Sequence, residues 1–200
     1  MDIYTKTKLL FLKYSFKKLA TYLEVVEEPL RESVREHTNT QLSDPINYPE
    51  TMGFLNQARQ SFIVTLMSQV ELWLIRDCRV EAERRDIRWG YSRRCSPFDN
   101  VKHFYRNKLG DPFEFGEHEE WEKTLKCYEV RNCIVHQHGS LTGFNDQPIN
   151  SSLKDFIDRE AGLSVQGLGK EIYIEPEFCR KTLMTAYKLL ENMFSSIPEL

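Results

Sequence analysis

The segment from residue 52 to residue 83 constrains the fold most, because its apolar residues repeat at helical spacing on two faces. A helix that is apolar on two sides needs packing partners on both sides. One stripe consists of Phe54, Ala58, Phe62, Leu66, Val70 and Trp73, and the other of Val64, Met67, Leu74, Ile75 and Cys78. The segment is therefore predicted to be the central helix of a bundle, and 200 residues suit one domain over 1–200.

A long helix is predicted before this segment, over residues 1–37, because apolar residues recur every three or four positions. Pro29 lies inside the pattern, and proline removes a helical hydrogen bond, so we expect a kink or a break there. Residues 38–51 contain two prolines among turn-forming residues and are predicted to form a loop. The apolar stripe consists of Leu9, Leu12, Phe16, Leu19, Leu23, Val26, Leu30 and Val34.

Shorter helices and one hairpin are predicted downstream, on capping residues, acidic helix starts and glycine turns. Ser96 and Pro97 open the first of these helices, and Pro176 opens the last. The segments are a helix over 96–110, a helix over 116–139, a polar loop over 140–149, a helix from Ser151 to Glu160, a hairpin over 163–175 and a closing helix over 177–196. The predicted fold is all-α, a helical bundle of five to six helices with core helices over 52–138 and a small β-hairpin before the C-terminal helix.

Composition and cysteine usage limit the compartment and the partners. The net charge of −3 at pH 7 gives no overall attraction to nucleic acid, so any nucleic-acid surface has to be a local patch. The five cysteines include no C-x-x-C pair and form an odd set, which favours reduced thiols over a disulfide framework. No stretch is apolar over the roughly 20 residues that span a bilayer. We therefore expect a cytoplasmic protein with no membrane partner.

Several catalytic signatures are missing from the sequence. No Asp or Glu is followed two residues later by Lys, which removes the acidic–lysine core of restriction-type metal nucleases. No G-x-S-x-G nucleophile elbow is present. Cys133, His136 and His138 come close together, but no partner pair completes a zinc-like spacing. We therefore expect neither a metal nor a cofactor.

Residues 131–136, "RNCIVH", allow two interpretations. In the first, His136 and His138 favour the negative end of a helix dipole, and Gly139 takes the left-handed position that ends the helix. In the second, the segment is a catalytic site. Asn132 and His136 share a helix face at i, i+4, whereas Arg131 and His136 diverge by about 140° around an ideal helix.

"RNCIVH" resembles the R-[polar]-x-x-x-H motif of the HEPN superfamily (higher eukaryotes and prokaryotes nucleotide-binding domains). Residues 57–75, with Ser68 and Glu71 in an S-x-x-E run, are similar to the central helix of that family. The hairpin and the closing helix fit as well, so the resemblance covers roughly residues 50–197. The chain departs from the family in one respect. Gly139 follows His138, so it lacks the H-x-Y extension of toxins modified by a partner nucleotidyltransferase, which argues against that regulation.

The resemblance implies a metal-independent endoribonuclease, in which a ribose 2′-OH attacks the phosphate and leaves 2′,3′-cyclic phosphate and 5′-OH ends. His136 is then the general base or acid, Arg131 stabilises the phosphate, and Asn132 orients His136 or the phosphate. His138 and Glu71 are further candidates for substrate binding. Imidazole titrates near neutrality and guanidinium clamps a phosphate in two places, so the residue types suit this chemistry.

The resemblance further implies a toxin or phage-defence effector that cleaves RNA and has an antitoxin or activator protein as a partner. It also implies a homodimer with a composite active site, because HEPN proteins form such dimers. A two-fold interface needs a self-complementary apolar surface. The stripe of the first helix or the outer face of the RNCIVH helix could provide that surface.

Alternatives stay open at three points. The chain could be a non-catalytic HEPN module that binds a nucleotide, RNA or a protein partner, or a structural bundle in which RNCIVH only ends a helix. Glu71 lies among apolar residues and is either part of a structural ion pair or cap, or part of the site. Residues 76–94 hold seven arginines against four acidic residues, with Trp89 and Tyr91 between them. This segment is either a solvated helix end with internal salt bridges or an RNA-tracking patch.

Overall fold

Six α-helices and one β-hairpin make up the described part of the chain, in the predicted order. The structure, a computed structural model, describes residues 3–40, 47–141, 151–167 and 170–197. The elements are α1 (Ile3–Thr40), α2 (Asn47–Arg84), α3 (Pro97–Lys108), α4 (Glu119–Gln137), α5 (Ser151–Arg159), β1 (Leu163–Gln166), β2 (Glu171–Ile174) and α6 (Pro176–Ser196). The predicted all-α bundle with a hairpin before its last helix is confirmed.

The two-faced helix α2 is central, as its sequence predicts. It packs against α1, α3, α4 and α6, and α6 in turn packs against α1 and α4. Helices α2 and α6 therefore lie between α1 on one side of the bundle and α4 on the other. Of the predicted α2 stripes, Phe54 is the exception because its side chain is 58% exposed. The stripe residues that are buried are Phe62, Leu66, Met67, Val70, Leu74 and Cys78.

The start of the chain differs from the prediction at Pro29 and in the following loop. Helix α1 continues through Pro29 to Thr40, so the expected break is wrong. An ion pair spans the proline, with Arg31 Nε 3.3 Å from Glu27 Oε1, and Glu27 is buried against Arg59 of α2. The predicted loop 38–51 is shorter than expected, because α2 already begins at Asn47. Proline is tolerated in a first helical turn, where its missing N–H needs no partner.

The hairpin fastens the end of α4 to α2. Strands β1 and β2 pair antiparallel, and the residues after α4 pair with β2. Ile172 N donates to Gly139 O at 2.8 Å, and Leu141 N donates to Lys170 O at 3.0 Å. The side chains of Asn56 and Gln60 on α2 both donate to Ile172 O at 3.1 Å. The position of the last turn of α4 is therefore set by three elements together.

A buried polar cluster connects α1, α2 and α3. Lys8 forms an ion pair with Asp77 and lies 3.7 Å from Glu81 Oε1. Tyr105 donates to the other carboxylate oxygen of Asp77 at 2.6 Å. Arg84 pairs with Glu81 at 3.1 Å. Burial raises the pKa of the Asp77 carboxyl, whereas the Lys8 ammonium lowers it. A buried carboxylate of this kind is stable only while its partners remain in place.

We expect Tyr105→Phe to lower the free energy of unfolding by about 1–3 kcal/mol, because one oxygen of the buried Asp77 carboxylate loses its donor. Tyr187→Phe is a matched control, because Tyr187 donates to Glu191 within one helix at 2.9 Å. That variant should change stability by about 0.5 kcal/mol or less. Urea denaturation followed by circular dichroism measures both. Equal losses in the two variants would contradict a special role for the cluster.

Candidate active site on the outer face of α4

Both ends of helix α4 have the features that the sequence predicts, and His138 shares the left-handed conformation of Gly139. Its first turn carries Glu119, Glu120 and Glu122, which favour the positive end of the helix dipole. Gly139 has φ +75°, a left-handed conformation that favours glycine, and a Cβ there would lie 3.0 Å from Nε2 at the end of the Gln60 side chain. His138 also adopts a left-handed conformation, with φ 53°. The helix-ending function of Gly139 is confirmed, and it coexists with any role of the neighbouring histidines.

The outer face of α4 carries the predicted site residues. Val130 and Cys133 point into the core and are buried. On the opposite side, Arg131 and Asn132 are half-buried, whereas His136 is exposed. Val135 lies between them and is 41% exposed. We call the surface formed by Tyr128, Arg131, Asn132, Val135 and His136 the outer face of α4.

Arg131 is held on two sides and keeps a free donor. Its Nη1 atom donates to Asn132 Oδ1 at 2.8 Å. Its Cζ atom lies 5.5 Å from the centre of the Tyr128 ring, a cation–π distance. Its Nε atom is buried and has no hydrogen-bond partner among the described residues. A buried donor without a partner costs free energy, so the Arg131 guanidinium is not fully satisfied by the described residues.

Tyr128 joins Arg131 to Glu71 of α2 and was not singled out from the sequence. Its hydroxyl donates to Glu71 Oε2 at 3.3 Å. Burial and the Glu71 carboxylate raise the pKa of this hydroxyl, so it stays protonated and can donate. Glu71 is half-buried and forms no ion pair within 4.0 Å in the described part of the chain. The spacing of Tyr128 three residues before Arg131, on the same helical face, is the signal that could have identified it.

His136 and His138 lie at the C-terminal end of α4, next to the group formed by Tyr128, Arg131 and Asn132. Both side chains are exposed. Between the described residues there is no hydrogen bond from His136 to Arg131 or to Asn132, and Asn132 is engaged by Arg131 instead. The structure therefore brings Arg131, Asn132 and Glu71 together through Tyr128, and it leaves His136 beyond Val135 on the same face.

Thiol or metal chemistry has no visible support at this end of α4. Burial raises the pKa of Cys133 to about 11, and its Sγ donates to Ser140 O at 3.3 Å. A thiol in this state is neither a good nucleophile nor a good metal ligand. Across the described ranges, no three His, Cys, Asp or Glu side chains are grouped closely enough to hold a metal ion.

Comparisons with known proteins leave the site to be interpreted from its own geometry. No protein-family model, no curated protein and no solved structure matches this chain. In the described part of the chain, no helix combines the length and the apolar character needed to cross a membrane.

Proposed function

We propose that the chain is a metal-independent endoribonuclease of the HEPN type, with the outer face of α4 as its active site. One observation carries the proposal. Arg131 is positioned by Asn132 and Tyr128 near the C-terminal end of α4, where the imidazole of His136 is exposed. A fixed guanidinium and an accessible imidazole are the groups that RNA cleavage without a metal needs.

The reaction uses the substrate's own nucleophile. The His136 imidazole accepts the proton of a ribose 2′-OH, and the 2′-oxygen forms a bond to the adjacent phosphorus. The Arg131 guanidinium stabilises the negative charge that accumulates on the phosphorane. The bond from phosphorus to the 5′-oxygen then breaks, and that oxygen takes a proton from a second histidine, which begins as the protonated imidazolium and ends as the neutral imidazole. The products are a 2′,3′-cyclic phosphate and a 5′-OH end, and DNA is not a substrate because it lacks the nucleophile.

A homodimer through the outer face of α4 supplies the second imidazole. Around a two-fold axis close to Val135, Arg131 of one protomer faces His136 of the other, which gives two such pairs. The outer face of α4 is preferred to the stripe of α1, because α4 carries both Arg131 and His136, and a composite site needs them at the interface. The homodimer with a composite site is therefore proposed on α4, and the five free cysteines support a reducing cytoplasm as its compartment.

The role as a toxin or phage-defence effector, restrained or triggered by an antitoxin or activator protein, belongs to the same proposal. It rests on the likeness of "RNCIVH" to the HEPN motif. The second candidate is a non-catalytic HEPN module that binds RNA, a nucleotide or a protein. One observation favours it: Asn132 accepts from Arg131 and forms no hydrogen bond to His136 among the described residues, so it does not orient the imidazole of its own protomer.

We expect cleavage of bulk single-stranded RNA to continue unchanged in EDTA, because neither the nucleophile nor the charge stabilisation requires a metal. Gel electrophoresis follows the cleavage, and resistance of the product 3′ ends to a phosphatase before acid treatment identifies the cyclic phosphate. The matched DNA oligonucleotide serves as the control and should remain intact. Activity that disappears in EDTA and returns with Mg²⁺ would contradict the mechanism.

A further inference from the structure

The arginine-rich segment 76–94 keeps a net positive charge on its surface, with five exposed arginines against two exposed acidic residues. Two of its four acidic residues, Asp77 and Glu81, are buried. They are matched inside the bundle by Lys8, by Arg84 in the last turn of α2 and by Arg85, which follows that helix. Glu83 and Asp86 are the acidic residues that remain exposed. The predicted internal salt bridges are therefore confirmed, and they leave most of the remaining arginines on the surface.

A cleft beside α3 is lined by aromatic and basic side chains of this segment and of α3. It has a volume of about 150 Å³ and is lined by residues that include Arg88, Trp89, His103, Phe104 and Lys108. We call it the Trp89 cleft. The Trp89 ring packs nearly perpendicular to Phe104, with 5.1 Å between ring centres. Arg88, His103 and Lys108 are exposed, and Arg88 and Lys108 form no ion pair with any described residue.

The loop that carries the cleft is held in place before any ligand binds. The buried side chain of Asn100 donates to Ser92 O and Ser96 O, each at 2.9 Å. It also accepts from Ser92 N at 2.7 Å. Three hydrogen bonds from one side chain therefore fix the residues that follow Tyr91. A site whose loop is already ordered loses less entropy when a ligand binds.

Tyr91 adjoins the Trp89 cleft. Its ring centre lies 5.9 Å from that of Trp89, and its side chain is 40% exposed. An exposed aromatic ring beside basic side chains can stack a nucleobase while the cations contact phosphates.

We propose that single-stranded RNA stacks a base on Tyr91 and continues into the Trp89 cleft, where Arg88 and Lys108 contact its phosphates. This binding track rests on the proposed ribonuclease function for its ligand, and it adds a subsite that lies outside the catalytic group. An acidic protein would use the same cations but not the exposed ring face of Tyr91. The aromatic ring is therefore the feature that favours RNA.

The test measures binding separately from cleavage. A fluorescein-labelled oligouridylate of about ten nucleotides is titrated with full-length protein carrying His136→Ala, and fluorescence anisotropy follows the complex. On this background, Arg88→Glu combined with Lys108→Glu should weaken binding at least about tenfold. The salt dependence should also fall by about 1.4 in log–log slope, because two phosphate contacts are lost. Lys17→Glu combined with Lys188→Glu makes the same charge change at exposed positions on α1 and α6, and it should have less than a twofold effect.

Variants of Tyr91 test the stacking surface on the same background. Tyr91→Ala should weaken binding at least about fivefold, whereas Tyr91→Phe, which keeps the ring, should bind within about twofold of its parent. If Tyr91→Ala binds like its parent while the charge reversal weakens binding, the surface is a general anion site and the RNA track is wrong. Equal weakening by the Lys17/Lys188 control pair overturns it as well.

The outcomes for the binding track and for the proposed nuclease are distinguishable. If the wild-type protein does not cleave RNA but binding still depends on Arg88, Lys108 and Tyr91, the nuclease proposal is wrong and the binding track is supported. If the wild-type protein cleaves RNA but substitutions at these three residues leave binding unchanged, the binding track is wrong and the nuclease proposal is supported.

Discussion

His136→Ala should lower the rate of RNA cleavage about 10²- to 10⁴-fold, which is the usual contribution of a general acid or base. His136→Gln should fail equally, because an amide keeps the size and polarity of the side chain but does not titrate. Single-turnover cleavage of a labelled RNA measures the loss. The side chain of His136 is exposed, so the unfolding midpoint in urea should stay unchanged in both variants.

Arg131 offers a second test of the same site. Arg131→Lys should also lose most activity, because an ammonium group does not reproduce the two-point contact of a guanidinium with a phosphate. Arg79→Lys is the matched control, since Arg79 is exposed on α2, and it should leave the rate unchanged. A fully active His136→Ala protein would contradict a catalytic site at "RNCIVH" and would support the other interpretation, in which these residues only end helix α4.

Val135→Glu should convert the protein to a monomer and abolish cleavage, because it places two carboxylates next to each other on the proposed two-fold axis. Sedimentation should give a mass near twice 23.7 kDa for the wild type and near 23.7 kDa for the variant. The effect on activity should match that of His136→Ala, since each protomer alone lacks the second imidazole.

Two controls separate this interface from other apolar surfaces. Leu10→Glu on α1 and Met184→Glu on α6 introduce the same charge at side chains that are 68% and 56% exposed. Both variants should remain dimeric and active. A Val135→Glu protein that is still a dimer with full activity would contradict an interface on α4.

Mixing inactive subunits tests whether the composite site needs both imidazoles. His136→Ala and Arg131→Ala proteins are each inactive alone, and a mixed dimer contains one intact pair of Arg131 and His136 from different chains but only one His136. Half of the dimers are mixed after exchange, yet the rate should stay near that of the His136→Ala protein, because the proposed reaction uses two imidazoles. Recovery of about a quarter of the wild-type rate after confirmed exchange would mean that one imidazole is sufficient.

The order of the helices and of the hairpin, and the type of each, could be predicted from the sequence alone. The two apolar faces of α2, the cap of α3 and the acidic start of α4 are local patterns, and each is decided by residues within a few turns of one another. Ser96, for example, accepts from Asp99 N at 3.0 Å, as its position before Pro97 predicts. The break predicted at Pro29 from local sequence was wrong. Near this proline, Glu27 forms a buried ion pair with Arg59 of α2, and the spacing of residues along α1 contains no information about that pair.

Contacts between side chains that are distant in the sequence could not be predicted and are known only from the tertiary structure. The pairing of Tyr128 with Glu71 joins residues 57 positions apart, and the pinning of the loop by Asn100 depends on how α3 packs against α2. The charge distribution of segment 76–94 is another case, because Asp77 and Glu81 are buried and pair with Lys8, Arg84 and Arg85, which leaves the other arginines of the segment on the surface. The free energy of each contact depends on distance and burial in three dimensions, which helical periodicity along one segment does not specify.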